Sequence, residues 1–203
     1  MVVVPTRQSG RRLRESLAEA AAERGQAVFP PRVVTPELLV AGGDAADAAP
    51  RLVSLLAWVE VFRGLDLADF RGVFPVDPPA RSFGWALRLA RQFARLQATL
   101  AESGLRLGDV AERAGPDFPE TDRWNLLGDL ERRHAAVLAK SGLRDVQAIK
   151  ISEARNPPPL TDIERVVIIA TPDPLPLALD TLEKQVRALR VEVDIKLATG
   201  EFS

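Results

Sequence analysis

The chain has 203 residues, of which 46% are hydrophobic and 27% charged, and its formal net charge is −1. This composition is that of a globular protein with a sizeable core, and the near-zero charge excludes a general electrostatic attraction to nucleic acid. The absence of cysteine excludes disulfides, cysteine nucleophiles and thiolate metal sites. No apolar run approaches the roughly 20 residues that span a bilayer, and the signal-peptide pattern is missing. We therefore expect a cytoplasmic protein without a membrane partner.

The first part of the chain predicts a strand followed by a helix. Residues 2–4 are a β-branched run, and Pro5 ends it because proline cannot continue a central strand. The apolar spacing over residues 9–24 predicts a helix that begins near Ser9 and ends before a glycine. Residues 33–34 indicate a second short extended segment, and the proline that follows is typical of the first position of a helix.

The middle of the chain predicts helices only. A short helix is expected after Asp109, and one or two helical turns after Asp145. Longer helices are predicted over about 52–63, 82–103 and 121–140. The first of these is amphipathic, and Leu52 and Leu56 belong to its predicted apolar face. The segment over 64–81 is rich in Pro, Gly and Asp and predicts a loop.

The last part of the chain returns to alternating strands and helices. A proline-rich hinge over 156–159 precedes a buried strand over 165–170, a helix over 174–189 and a half-exposed strand over 191–196. We expect the strands of both ends to form one sheet. The predicted organisation is a discontinuous α/β domain, residues 1–49 and 156–203, with a helical subdomain, residues 50–155, inserted into it.

The two strand-to-helix junctions lack the residues of a catalytic site. Neither G-x-x-x-x-G-K-[ST] nor G-x-G-x-x-G occurs, so no phosphate loop is present. His134 is the only histidine, and its place at the margin of an apolar face favours a structural role. Asp173 follows the strand over 165–170, but a position at a helix N-terminus is sufficient to explain it and is the interpretation we favour. We therefore predict no catalytic residue, no cofactor and no metal.

The arrangement of the arginines is the strongest indication of a binding site in this sequence. At about 100° per residue, four of them fall within one quarter of the circumference of the helix over 82–103, namely Arg81, Arg88, Arg91 and Arg95. A second basic cluster at the start of the first helix consists of Arg7, Arg11, Arg12 and Arg14. Such a stripe can bind a nucleic-acid backbone through its phosphates. The alternative is a solvated face that pairs with acids from elsewhere in the protein.

Two segments resemble superfamily I helicases. Val2-Val3-Val4-Pro5-Thr6-Arg7-Gln8-Ser9-Gly10-Arg11-Arg12-Leu13 looks like the motif in which a strand ends in threonine and a basic, small-residue helix start touches single-stranded DNA. The stretch Ser141 to Asp145 and residues 163–182 look like a later part of the sequences of the same family. More closely, the chain resembles the N-terminal region of the B subunit of AddB-type helicase–nucleases, which process double-strand breaks and carry an inactivated helicase core.

The resemblance implies a degenerate P-loop NTPase-like (helicase 1A-like) α/β core with a parallel sheet and an all-helical inserted subdomain. Thr6 and Arg7 are the DNA-contact positions that it carries over. Where active helicases have an Asp-Glu pair, this sequence has Ile169-Ala170-Thr171-Pro172, so the resemblance implies no ATP hydrolysis. It also implies a longer parent protein, with the phosphate-loop segment before Met1 and a nuclease domain beyond Ser203.

The resulting hypothesis is a non-catalytic, helicase-like domain of a DNA double-strand-break repair protein. It would act as a scaffold, contact single-stranded or forked DNA through Thr6, Arg7, Arg11 and the arginine stripe, and work beside a motor subunit of the helicase–nuclease. One alternative is a protein–protein docking module that packs against the motor through faces such as those of Trp58 and Trp85. Another is an α/β enzyme that uses Asp173.

Overall fold

The computed structural model describes residues 1–39, 45–157, 163–169, 175–189 and 192–196. Two compact units form, one from residues 1–41 and 153–203 and the other from residues 42–152. The first contains β1 (Val2–Val3), α1 (Arg7–Glu23), β2 (Val33–Val34), α2 (Pro36–Leu39), β3 (Arg165–Ile169), α8 (Pro176–Leu189) and β4 (Glu192–Lys196). The second contains α3 (Arg51–Gly64), α4 (Phe83–Ala101), α5 (Asp109–Ala114) and α6 (Thr121–Ala139), and α7 (Val146–Arg155) begins in it.

A small parallel sheet organises the first unit. The strand order is β2-β1-β3-β4, and Val2 is paired with Val33 on one side and with Val167 on the other. The expectation that the two ends of the chain share one sheet is therefore confirmed, and the protein is a mostly helical α/β protein. The sheet core contains Val3, Val34, Val166 and Leu182.

Helix α1 begins two residues earlier than the sequence predicts. Thr6, in extended conformation, is the N-cap, and its side-chain oxygen accepts a hydrogen bond from the Ser9 backbone N–H at 3.0 Å. The prediction of a start near Ser9 was wrong because Thr6 satisfies this first-turn donor. At the other end Gly25 has a φ of 63°, the left-handed conformation that ends helices and that glycine adopts without strain.

The second unit is built around an aromatic core. Trp58 and Phe62 of α3 are fully buried, and both rings contact Phe93 of α4. The apolar face predicted for α3 was wrong in part, since Leu52 is 65% exposed and Leu56 is 45% exposed. The large rings fill the space against α4 and α6, and this leaves the leucines on the opposite side.

Two segments of this unit are more ordered than the sequence predicts. The segment over 64–81 contains a 3₁₀ turn, Ala68–Phe70, and it places Leu65, Leu67 and Phe70 in the core. Helix α7 has nearly three turns, more than the one or two expected. Its predicted cap is confirmed, because Asp145 Oδ1 accepts from the backbone N–H groups of Gln147 and Ala148 at 2.9 and 3.3 Å. None of the helices within the described ranges is long and apolar enough to cross a membrane.

The close approach of α6 to the start of α5 gives a testable prediction. A Cβ atom at Gly128 would lie 2.8 Å from the Cα atom of Gly108, which is backbone and cannot rotate away. We expect Gly128→Ala to lower the free energy of unfolding by about 1–3 kcal/mol through overpacking, despite the gain of up to ~1 kcal/mol in helix propensity. Gly84→Ala is the control, since its Cβ would meet only Ser82 Oγ at 3.8 Å. Urea titration measures both, and equal stability of the two variants would contradict the contact.

Candidate nucleic-acid interface

The carboxyl end of β1 carries the first pair of predicted DNA-contact residues. The chain leaves the sheet at Val4 and enters α1 at Arg7, at the point where the strand order reverses between β1 and β3. Ligands of open α/β sheets bind at such switch points. Thr6 and Arg7 are both exposed. The Thr6 hydroxyl is already engaged, because it caps α1 and lies 2.8 Å from Ser9 Oγ, so Arg7 offers the freer contact group.

Arg11 lies one turn further along α1 and is paired within the helix. Its Nε atom donates to Glu15 Oε1 at 2.8 Å, and this hydrogen bond raises the pKa of the fully exposed Arg11 guanidinium. A surface i,i+4 pair of this kind is weak because water and salt screen it, so a phosphate can displace Glu15. The neighbouring Arg12 and Arg14 are also exposed.

The arginine stripe of the second unit contains three residues instead of four. Arg88, Arg91 and Arg95 are exposed along one face of α4. Arg81 precedes the N-cap Ser82, and its guanidinium donates to the carbonyl oxygens of Phe62, at 3.1 Å, and of Leu65 at the end of α3. The prediction that Arg81 belongs to the stripe was therefore wrong, because its guanidinium satisfies the carbonyl groups that α3 leaves free at its C-terminus.

A groove runs beside this face of α4. It has a volume of about 860 Å³, and its walls come from α4, from the first turn of α3 and from the start of α7. Arg91 and Arg95 line it together with Arg51, the first residue of α3. Asp145 is the only carboxylate among its lining residues in the described part of the chain, and its oxygens are bonded to Ser54 Oγ and to the first backbone N–H groups of α7.

A buried hydrogen-bonded chain lies behind the groove. Trp58 Nε1 donates to Gln97 Oε1 at 3.0 Å, and Gln97 Nε2 donates to Glu131 Oε1 at 2.9 Å. The other carboxylate oxygen of Glu131 accepts from the Leu107 backbone N–H. Burial raises the pKa of Glu131, and the hydrogen bonds oppose that shift. The direction of the Gln97 amide is fixed, because the indole can only donate and an ionised carboxylate can only accept.

His134 occupies the centre of the same unit. Its ring is fully buried and stacks on Trp58 with a centroid distance of 4.3 Å. Its Nε2 atom lies 3.0 Å from the Ser54 carbonyl oxygen, which can only accept, so Nε2 carries the hydrogen of the neutral ring. The Nδ1 atom has no protein partner in the described part of the chain. His134 also lines a cavity of about 280 Å³.

The two alternative functions, a docking module and an α/β enzyme, depend on two tryptophans and on Asp173. Trp58 is fully buried and Trp85 packs edge-on against Phe62 at a centroid distance of 6.5 Å. The Trp58 ring cannot form part of a docking face because it is fully buried, whereas Trp85 is only partly buried against the same core, and a docking role for its face stays a prediction. Thr171 and Asp173 lie outside the described residues. Within the described ranges, no group of three or more acidic or histidine side chains is placed to hold a metal ion.

Comparison with known proteins gives no match to this sequence: no family model matches it, and neither a curated protein nor a solved structure is significantly similar to it.

Sequence reasoning missed Arg51 and Gln97. Arg51 stands at the first helical position of α3, where no acidic residue and no side-chain cap accompany it. A positive charge there is opposed by the helix dipole, and this unfavourable placement is a signal that the sequence itself contains. Gln97 lay within an apolar helix face, and only the opposing indole of Trp58 shows its role.

Proposed function

We propose that the chain is a non-catalytic, helicase-like domain of a DNA double-strand-break repair protein, and that it contacts the phosphate backbone of single-stranded DNA. In this proposal the parent protein is of the AddB type, and a separate motor subunit hydrolyses ATP. The domain contributes a scaffold and strand contacts, without reading bases.

The sheet of the first unit supports the helicase-like part of the proposal. In the parallel sheet β1 lies next to β3. A segment of more than 100 residues, in which the named elements of the described part are helices, separates β2 from β3 along the chain. A helical block inserted into a parallel α/β core is the arrangement that the resemblance to the helicase family implies. Thr6 and Arg7 follow the carboxyl end of β1, on the side of the sheet where open α/β folds bind ligands.

The observation that carries the DNA-binding part is the face of α4. Arg88, Arg91 and Arg95 are exposed, and none of them forms an ion pair in the described part of the protein. Some exposed arginines of the same unit are paired instead, Arg123 with Glu120 and Arg132 with Asp129, and what sets the α4 group apart is that three arginines, unpaired within the described residues, lie on one helix face. Three unpaired guanidinium groups on one face are available to phosphates, which they bind in a forked geometry.

The proposal is tested by titrating a fluorescent oligothymidylate with the intact chain at low salt and following its anisotropy. We expect binding that weakens steeply as salt is added, because each phosphate contact releases counterions. Arg88→Glu/Arg91→Glu/Arg95→Glu should abolish measurable binding.

The control carries the same change in charge elsewhere on the second unit, in Arg63→Glu/Arg113→Glu/Arg123→Glu. All three of these arginines are exposed. The control should lose far less affinity than the α4 variant. No binding by the wild-type chain, or an equal loss in both triple variants, would refute a DNA contact on this face.

A further inference from the structure

We propose that the groove between α3, α4 and the start of α7 is the track in which a single strand lies, with Arg51 as a phosphate-binding residue equal in importance to Arg91 and Arg95. This inference deepens the proposed function and rests on it. It adds a residue from a second helix and separates the contacts that line the groove from Arg88, which lies on the same helix face but does not line the groove.

The charges of the groove are unbalanced. Its three arginines face one carboxylate, that of Asp145. Asp145 is only 8% exposed, and its two oxygens accept from the Ser54 hydroxyl and from two backbone N–H groups. Neither Arg51 nor Arg91 nor Arg95 forms an ion pair in the described residues. The groove thus presents uncompensated positive charge beside hydrogen-bonding groups of Ser54 and Gln147.

The position of Arg51 is poor for stability and good for binding an anion. It is the first residue of α3, whose N-cap is Pro50 and whose first turn has no acidic residue. The positive end of the helix dipole repels a guanidinium and attracts a phosphate. A bound phosphate would meet both the arginine and the helix end, whereas nothing in the fold of α3 requires an arginine here.

The dimensions of the groove favour a single strand. Its volume of about 860 Å³ is within the range of about 300–1,000 Å³ found for small-ligand sites, which admits a few nucleotides of a single strand. Arg91 and Arg95 are one turn apart, or about 6 Å along the helix axis, a spacing comparable to that of successive phosphates. Leu55 and two alanines of α4 also line the groove and give the sugars and bases an apolar wall.

Four single substitutions, Arg51→Glu, Arg91→Glu, Arg95→Glu and Arg88→Glu, test the inference by oligothymidylate anisotropy in the intact chain. We expect the three groove variants to lose about tenfold or more in affinity and to reduce the salt slope by about 0.7 unit each, the contribution of one single-strand phosphate contact. Arg88→Glu should lower the affinity only about twofold, because it changes the net charge near the groove without removing a phosphate contact. Thermal unfolding is followed in parallel, and Arg51→Glu should keep or raise Tm, because an acid suits the start of a helix.

The outcomes separate this inference from the proposed function. If the wild-type chain binds the strand but Arg51→Glu binds equally well, or Arg88→Glu is the weaker binder of the two, the groove is wrong and the α4 contact stands. If the wild-type chain does not bind the strand, the proposed function fails. In that case tripolyphosphate is added to both proteins. If it raises the Tm of the wild-type chain but not that of Arg51→Glu, the groove binds a small polyphosphate, and the inference that a nucleic-acid strand lies in it is refuted.

Discussion

Trp58→Ala is expected to lower the free energy of unfolding by about 3–5 kcal/mol, the range found when large buried aromatic residues are truncated. Trp58 is completely buried and stacks on both His134 and Phe62, with centroid distances of 4.3 and 5.5 Å. Its removal also leaves Gln97 Oε1 without the donor it has at 3.0 Å. Urea-induced unfolding followed by circular dichroism measures the loss.

Two further variants separate the contributions of the indole. Trp58→Phe keeps an aromatic ring but removes the N–H donor and part of the ring volume, so it should cost at least the roughly 1–3 kcal/mol of leaving the buried Gln97 oxygen unsatisfied, with a further loss from the space left empty. Phe83→Ala removes a ring that is 52% exposed at the start of α4 and should cost about 1 kcal/mol or less. A Trp58→Ala loss no larger than that of Phe83→Ala would contradict the place of Trp58 at the centre of the core.

Acidification is expected to destabilise the second unit through His134. Burial lowers the pKa of His134, against the opposing effects of the Asp145 charge and of the hydrogen bond to the Ser54 backbone. The folded state therefore binds this proton less readily than the unfolded state, whose histidine pKa is about 6.5. Between the lowered pKa and about 6.5 the unfolded state holds more protons, so stability rises with pH across that window and is constant above it.

His134→Phe isolates this effect, because it keeps a ring against Trp58 and removes the titrating group. Loss of the bond to the Ser54 carbonyl should cost about 1–3 kcal/mol near neutral pH. The difference in unfolding free energy between wild type and variant should shrink as the pH falls below about 6.5. Glu131 has a raised pKa and the opposite pH dependence, but it is present in both proteins and cancels. A difference that is constant or grows on acidification would contradict a buried neutral histidine.

The same claim can be measured without any variant. Because the chain has a single histidine, its ring resonances report one titration, which should have a pKa below about 6.5. A pKa at or above that value would show that the ring is more accessible or more strongly paired than its burial against Trp58 allows.

Local signals in the sequence predicted much of the fold. Ser82 caps α4, and Gly104 and Gly142, with φ of 73° and 68°, follow α4 and α6. These features depend only on neighbouring residues, so the helix ends can be predicted from capping residues and glycines in the sequence. That the strands at the two ends share one sheet was predictable for a related reason, whereas the register that pairs Val2 with Val167 was not predicted. Each β-branched run precedes a helix, and parallel strands of that kind share one sheet.

The orientation of α3 and the groove depend on distant residues and could not be predicted in the same way. Leu52 and Leu56 fit helical spacing as well as Trp58 does, and the choice between the two faces is made by partners 39 and 76 positions further along the chain, Gln97 and His134. The stripe of α4 was visible as a periodicity. Arg51 is on another helix, and only the packing of α3 beside α4 brings it to the same groove.

The salt dependence of strand binding tests the central claim most directly. With phosphate contacts from Arg51, Arg91 and Arg95, the slope of log affinity against log salt should be about −2, since a single strand contributes about −0.7 for each contact. Arg51→Glu/Arg91→Glu/Arg95→Glu should bring the slope close to zero. A wild-type chain that binds with no salt dependence, or a variant that keeps the full slope, would contradict a phosphate-binding groove.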